Sequence, residues 1–368
     1  MRIGAHEVTG RPDMVLLTDW LPPDFGAVGQ YSLLRAREMA AQGKKVALYG
    51  LCSAVDSTEI ESPGTGELRI TWIKTATYDR ASLRQRAWWT LATDLKLVWR
   101  SLGDMRRAGE VVFTGSPPFL LHLLGPLNLF MGKRLVYRIT DFYPEVLFAE
   151  SGKPGWLMHL FYGLTKFWRR RVEKFEVLGE DQRRRLEESG IPGERIEIRR
   201  DPSPILFSSV TKPLPLPFQG KKILLYSGNF GVAHDHETLV SGYLKHYRSG
   251  SGGVALWINA IGSRADLVTE ALARAGLPVR RTLPVPLEQL ASLLATAAAH
   301  VITLREPFWG YVLPSKVYAG IESGKPILFI GPRASDVHLL CSTDKRVPRY
   351  SQVEPGDSEG VFRALEEI

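Results

Sequence analysis

"MVLLTDWLPPDFGAVGQYS", residues 14–32, runs from an apolar stretch through a loop bearing glycine and proline into an amphipathic segment. Met14-Val15-Leu16-Leu17 has the continuous apolar character of a strand buried on both faces. Gly26 and Gly29 open "GQYSLLRAREMAAQGKK", where Leu33, Leu34, Met39 and Ala40 fall near helical spacing. Strand, glycine loop and helix in that order begin a βαβ unit, and such loops bring backbone N–H groups to a helix N-terminus, where anions bind. A dinucleotide fingerprint asks for three glycines and an acid ending the next strand. The next strand here ends "ALYGLCS", without an acid, which argues against NAD. Two readings remain for Gly26 and Gly29: contact with a phosphate, or a tight turn that needs glycine.

The rhythm continues outward. "KVALYGL", "EVVFTG" and "KRLVYRI" read as strands. "SPPFLLHLLGPLNLFMG" reads as a helix capped by Ser116 with Pro117 at its first position. In the second half "KKILLYSG", "ALWINAIG", "VRRTLP", "HVITL" and "KPILFIG" are strands, separated by helix-like segments. Short apolar strands alternating with helices predict parallel sheets. The proline-rich stretch "RRDPSPILFSSVTKPLPLPFQGKK", residues 199–222, reads as a linker between a domain over 1–205 and a second over 206–368. The expected class is α/β, two doubly wound Rossmann-like domains whose parallel sheets face a central cleft. Ligands of such sheets sit at the carboxyl ends of the strands.

A chain of 368 residues, 44% hydrophobic and 23% charged, has room for two cores. Its two cysteines, Cys52 and Cys341, form neither a disulfide framework nor a metal-ligand spacing, which fits a reducing cytoplasm. The N-terminus lacks the apolar core of a signal peptide. "FLLHLLGPLNLFMG", residues 119–132, is too short to span a membrane and is interrupted by Gly125-Pro126. A net charge of +8 favours nucleic acid, anionic lipid or phosphorylated substrates. No nucleic-acid motif is present, so the last two are expected.

Three further stretches carry candidate chemistry. "LLYSGNFGVAHDHETL" places Ser227, Gly228, Asn229 and Gly231 between a strand and a helix, with His234 and His236 just beyond. His234 either faces a phosphate or lies exposed at the helix entry. In "LREPFWGYVLPSKVYAGIESGKPILFIG", residues 304–331, Arg305 follows a strand end and a helix opens at Pro314. Ser315 and Lys316 then fall where helix dipole, N–H groups and an ammonium converge on phosphate. Asp141, in "TDFYPE", is the best polar group at its strand end, either in an active site or capping a turn.

In order and spacing, "PPDFGAVGQYSLLRAREMAAQGKKV", "FTGSPPFLLHLLGPLNL", "YRITDFYPE", "VLGEDQRRRLEESGIP", "LLYSGNFGVAHDHETL" and "LPSKVYAGIESGKP" resemble the glycosyltransferases of family 4, with the GT-B fold. The resemblance covers nearly the whole chain and is nearest the subgroup acting on bacterial surface polysaccharides. It implies a hexosyltransferase-type enzyme. A nucleotide-sugar donor sits on the C-terminal domain, and a lipid-linked or glycan acceptor sits mostly on the N-terminal one. Anomeric configuration is retained, and neither metal nor cofactor is needed. It places Gly26, Gly29, Ser227, Gly228, Asn229, His234, Ser315 and Lys316 at the donor, and Asp141 at the acceptor or sugar. Many relatives carry an arginine and a lysine where this chain has Asn229 and His234; Lys316 and Arg305 are the cations available to compensate. The family's paired glutamates fall at Tyr311 and Ala319, with Glu306 and Glu322 nearby but out of register. A nucleotide-sugar epimerase, or a non-catalytic partner in a polysaccharide assembly complex, are the alternatives.

Residues 80–110 combine Trp88, Trp89, Trp99 and leucines with Arg80, Arg84, Arg86, Arg100, Arg106 and Arg107, and residues 155–175 repeat the theme. Aromatic anchors with cations are the chemistry of a helix at an anionic membrane surface. The expectation is a cytoplasmic protein, peripheral on the inner face of the cell membrane, in which these segments meet lipid; the alternative is a core face beside solvated arginines.

Overall fold

The computed structural model describes residues 10–24, 26–76, 83–152, 155–205, 207 and 211–368; the side chains of residues 83–87 fall outside that description. Two compact units emerge. The first comprises Met1–Glu145, Lys153–Leu178 and Leu186–Arg199, the second Val146–Gly152, Gly179–Arg185 and Arg200–Ile368.

Chain order begins with β1 (Met14–Trp20), α1 (Ala27–Ala41), β2 (Lys45–Cys52), β3 (Ser57–Glu61), β4 (Glu67–Lys74), α2 (Leu83–Arg107) and β5 (Glu110–Thr114). It continues with α3 (Leu120–Met131), β6 (Arg134–Ile139), α4 (Glu145–Ser151), α5 (Trp156–Arg169), β7 (Lys174–Val177), α6 (Glu180–Glu188) and β8 (Ile196–Ile198). The sheet order is β3-β4-β2-β1-β5-β6-β7-β8. Strand order therefore runs outward in both directions from β1 and β5, the crevice where α/β sheets bind ligands. Met14, Leu16, Leu33, Ala36, Val46, Leu48, Ile70 and Val112 share one core cluster.

Two expectations fail in this unit. The sheet is not wholly parallel, because β3 pairs antiparallel with β4. Ser57–Ile60 are exposed, so the charged β3 makes a solvent-tolerant edge. Nor does Ser116 cap a helix at Pro117: α3 begins at Leu120 behind Phe119. The Ser116 hydroxyl is instead committed to a carboxylate, donating to Asp19 Oδ2 at 2.9 Å. The α3 helix runs on through Pro126, and the Gly125 position is filled by the Trp168 ring, 2.6 Å from where a Cβ would lie. No described helix is long and apolar enough to cross a membrane.

The second unit holds β9 (Lys222–Asn229), α7 (Glu237–Ser249), β10 (Val254–Ile261), α8 (Ser263–Arg274), β11 (Val279–Thr282), α9 (Leu287–Thr296) and β12 (Ala299–Thr303). After them come α10 (Lys316–Glu322), β13 (Ile327–Ile330), α11 (Asp336–Thr343), β14 (Tyr350–Val353) and α12 (Ser358–Glu366). The order β11-β10-β9-β12-β13-β14, parallel throughout, is the doubly wound Rossmann order, reversing between β9 and β12.

Gly26 and Gly29 are explained first by packing. A Cβ on Gly29 would lie 2.0 Å from the Trp20 carbonyl oxygen, and one on Gly26 2.8 Å from the same atom. Helix α1 reaches the end of β1 only because these side chains are absent. Gly29→Ala is expected to cost about 1–3 kcal/mol, the usual range for overpacking, read from the urea midpoint; an unchanged midpoint would show that α1 moves freely off β1.

Candidate functional site

The carboxyl ends of β9 and β12 bring Lys316 onto three groups of one distant segment, Tyr226, Asn229 and His234. Lys316 starts α10, and its Nζ donates to the Tyr226 hydroxyl oxygen at 2.5 Å. The same Nζ donates to the Asn229 carbonyl at 3.3 Å and to His234 Nε2 at 3.3 Å. It also lies 4.2 Å from the centre of the Tyr226 ring. The Tyr226 hydroxyl donates to the Asn229 carbonyl at 2.9 Å, leaving its lone pairs for the ammonium.

His234 is buried in the loop before α7, not exposed at the helix entry. Its Nδ1 lies 2.6 Å from the Thr303 carbonyl oxygen. A carbonyl only accepts, so Nδ1 carries the hydrogen and Nε2 offers a lone pair to Lys316. Burial, then the Lys316 charge, hold this imidazole well below its ordinary value. Burial likewise holds the Lys316 ammonium well below the usual lysine range.

Gly228, at φ +119°, holds a backbone conformation that favours glycine; the Lys316 Cε lies 3.6 Å from where a Cβ would be, an ordinary contact. Ser227 and Gly228 are half-buried and Asn229 is exposed. Arg305 is less free: its Nη1 donates to the Val232 carbonyl at 3.2 Å and its backbone N–H to the Ala233 carbonyl at 2.8 Å. Helix α10 begins at Lys316 rather than Pro314 and has seven residues; Ser315 makes no side-chain cap bond. So short a helix has little macrodipole, and any pull on an anion here comes from the ammonium itself. Tyr311 lies over Arg185, Ala319 is buried, and Glu322 pairs with Arg346 at 2.6 Å, so no glutamate pair forms at those positions.

The first unit carries a cluster of opposite sign at its own strand reversal. Asp19 ends β1 beside Trp20, Ser116 follows β5 and Asp141 follows β6. Burial pushes the Asp19 carboxyl up to about 7, and the Asp141 charge adds to that rise. The Ser116 bond and the Gly29 amide act the other way. Burial also pushes Asp141 up to about 6. The sequence reading missed Asp19: an acid near the end of an apolar strand gives no local signal, and its partner is 97 residues away.

The loop holding Asp141 is clamped from α5. The buried Arg169 guanidinium pairs with Glu145 and donates to the Tyr143 carbonyl at 3.0 Å. This arginine lies within the 155–175 segment expected to meet lipid, but it is turned inward and unavailable to it. Trp89 also turns inward, stacking on Trp20 at 6.0 Å and donating its indole N–H to Ala76 at 2.7 Å. Arg100 pairs with Asp56 at 2.9 Å, while Arg106, Arg107, Arg170 and Arg171 are exposed. Arg80 and the side chains of Arg84 and Arg86 lie outside the described residues. Among the described residues no group of three or more His, Cys, Asp or Glu is placed to hold a metal ion.

No protein-family model matches the chain. It is similar to a probable glycosyltransferase, WbjE of Pseudomonas aeruginosa, at 24% identity over 288 residues, covering 73% of this chain and 68% of that protein. Among solved structures it is similar to an α,α-trehalose-phosphate synthase (UDP-forming) from Burkholderia vietnamiensis, with TM-score 0.65 and 9% identity over 97% of this chain and 91% of that one. It is also similar to WaaG, a glycosyltransferase involved in lipopolysaccharide biosynthesis, with TM-score 0.57 and 15% identity over 96% and 90%. The fold is that of the GT-B class, two Rossmann-like α/β domains. The relative's name, a probable glycosyltransferase, agrees in class of activity with the resemblance carried by the sequence motifs.

The Lys316–His234 pairing has a spectroscopic signature. Nitrogen-15 NMR is expected to show His234 still neutral, with Nδ1 protonated, as the pH falls through the ordinary histidine value. Titration near 6.5, the ordinary value, would remove the pairing.

Proposed function

We propose that the chain is a glycosyltransferase that moves a hexosyl group from a nucleotide-sugar donor to a lipid-linked or polysaccharide acceptor in bacterial surface glycan synthesis. Transfer retains anomeric configuration and needs no metal. The second unit takes the donor and the first unit the acceptor. The observation that carries this reading is Lys316: a desolvated cation at the strand reversal of a Rossmann sheet, whose partners Tyr226, Asn229 and His234 are all neutral. A diphosphate supplies the missing charge.

In this reading the Lys316 ammonium and the backbone at Ser227, Gly228 and Asn229 hold the donor diphosphate. Neutral His234 fixes the lysine from behind. Arg305 adds a second cation at the rim, and Ser315 a hydroxyl. Gly26 and Gly29 contribute backbone approach near the donor and acceptor. As the glycosidic bond to phosphate breaks, charge grows on the leaving diphosphate, and a fixed cation there lowers the barrier. Asp141 orients the acceptor or sugar. The WbjE and WaaG names point the same way, and the UDP-forming neighbour makes UDP the first nucleotide to try.

Membrane attachment belongs to the same proposal. On α2, Trp88, Leu91, Leu95 and Trp99 are exposed at intervals of three and four residues, one stripe of the helix. On α5, Leu157, Leu160, Leu164 and Phe167 do the same, and Leu129 and Phe130 stand exposed at the end of α3. Exposed apolar stripes flanked by Arg106, Arg107, Arg170 and Arg171 suit an anionic bilayer surface on the cytoplasmic side.

Two measurements test these parts. UDP, GDP, TDP and CMP are screened by thermal shift with and without magnesium. One nucleotide class is expected to stabilise the protein saturably without metal, and Lys316→Ala to weaken it by about tenfold or more, the loss of one charge-assisted hydrogen bond. No response to any of them would favour the non-catalytic partner. Separately, the protein is expected to pellet with anionic vesicles at low salt, and the Trp88→Ala/Trp99→Ala variant to remain in the supernatant; equal pelleting would remove α2 from the contact.

A further inference from the structure

We propose that Asp19, with Ser116 and Asp141, forms a hydroxyl-binding site at the strand reversal of the first unit, and that its ligand is a sugar hydroxyl. That this sugar belongs to the acceptor rests on the glycosyltransferase reading above.

The site is built by three loops leaving neighbouring strands. β1 pairs with β5 and β5 with β6, so the carboxyl ends that carry Asp19, Ser116 and Asp141 lie side by side. Ser116 Oγ donates across the reversal to Asp19 Oδ2 at 2.9 Å. Gly115 lets the last two loops meet, since a Cβ there would lie 2.9 Å from the Asp141 carbonyl oxygen. Asp19 is only 9% exposed, yet among the described residues its Oδ1 makes no hydrogen bond of ordinary geometry, the Gly29 amide pulling on the carboxyl only from a looser approach. The groups acting on Asp19 are the Ser116 hydroxyl, the Gly29 amide of α1 and the Asp141 carboxyl. No cation is among them.

The chemistry of the ligand follows from that set. Two close carboxyls without a cation do not both ionise easily. With one proton between them they both donate and accept, as a sugar hydroxyl or vicinal diol requires. The same pair repels phosphate, so the site discriminates against the donor's diphosphate. A hydroxyl donated to Asp19 Oδ1 would satisfy the one buried oxygen left unmade. Asp19 thus joins Asp141 as a substrate-binding residue that the motif resemblance did not assign.

The test uses the full chain. Methyl β-glycosides of glucose, galactose and N-acetylglucosamine are titrated by saturation-transfer NMR near neutral pH. At least one is expected to bind wild type. Asp19→Asn and Ser116→Ala are each expected to weaken it by about tenfold, while the response to UDP is unchanged. A second readout separates a binding carboxyl from a structural one. Asp19 is raised from 3.8 to about 7, so the folded state holds its proton more tightly than the unfolded chain. Its contribution to stability is full below the unfolded value and is lost as pH rises through about 7. Asp19→Asn lacks this titration and is expected to gain in Tm relative to wild type across that interval. Unaltered glycoside affinity in both variants, or no glycoside binding by wild type, would overturn the proposal. Glycoside binding without any nucleotide response would leave this site standing and remove the donor reading instead.

Discussion

Lys316 is half-buried and holds its ammonium against a phenol, a peptide carbonyl and an imidazole, none of which returns a negative charge. Burying a cation among neutral acceptors is costly unless an anion completes the set. That constraint organises the surroundings. Tyr226 points its proton at Asn229 so that its lone pairs face the ammonium. His234 is held as one tautomer by Thr303 so that it accepts rather than repels. Gly228 supplies the positive φ at the end of β9 beside the lysine. Each feature is arranged around a positive group kept ready and underneutralised, which is what tight recognition of phosphate needs.

The two units use one topology with opposite electrostatics. Both reverse strand order beside their first strand, β1 in one and β9 in the other. In the second unit the reversal holds a half-buried lysine, and in the first it holds the buried Asp19 and the half-buried Asp141. A cation prefers a diphosphate, and a protonated carboxyl pair prefers hydroxyl groups. A donor and an acceptor sugar differ in this respect, so electrostatics alone can sort them between the units. In the proposed donor site, the charge that the family resemblance would put at Asn229 and His234 would come instead from Lys316, 82 residues beyond His234.

Much of this was legible because it is local. The run Met14–Trp20 is one strand, and the alternation of apolar runs with helical spacing carries through both sheets. The lysine was legible too, since it follows a strand and a loop. What was not legible depends on contacts between distant segments. Asp19 looks like an ordinary strand-end acid until Ser116 arrives from the next strand pair. Ser116 looks like a helix cap because serine before proline has the right pattern, but a buried carboxylate competes for the same hydroxyl. Gly26 and Gly29 left two readings open in the sequence, phosphate contact or a tight turn, and the contact that decides their packing is with the Trp20 carbonyl. The β3 edge escaped notice because its Thr and Glu residues carry no apolar alternation strong enough to mark a strand.

The α5 helix shows how an outer surface and an inner site are tied together. Its exposed side carries Leu157, Leu160, Leu164 and Phe167. Its inner side carries Arg169, buried and bonded to Glu145 and to the Tyr143 carbonyl. Those two residues lie two and four positions beyond Asp141. A guanidinium bonded to both the carboxylate and the backbone of one turn fixes that turn in two directions. Rotation or translation of α5 would therefore drag the "TDFYPE" segment with it. The surface proposed to meet lipid and the carboxyl proposed to bind sugar are connected by one helix and one buried ion pair, so in that reading contact at the first bears mechanically on the geometry of the second.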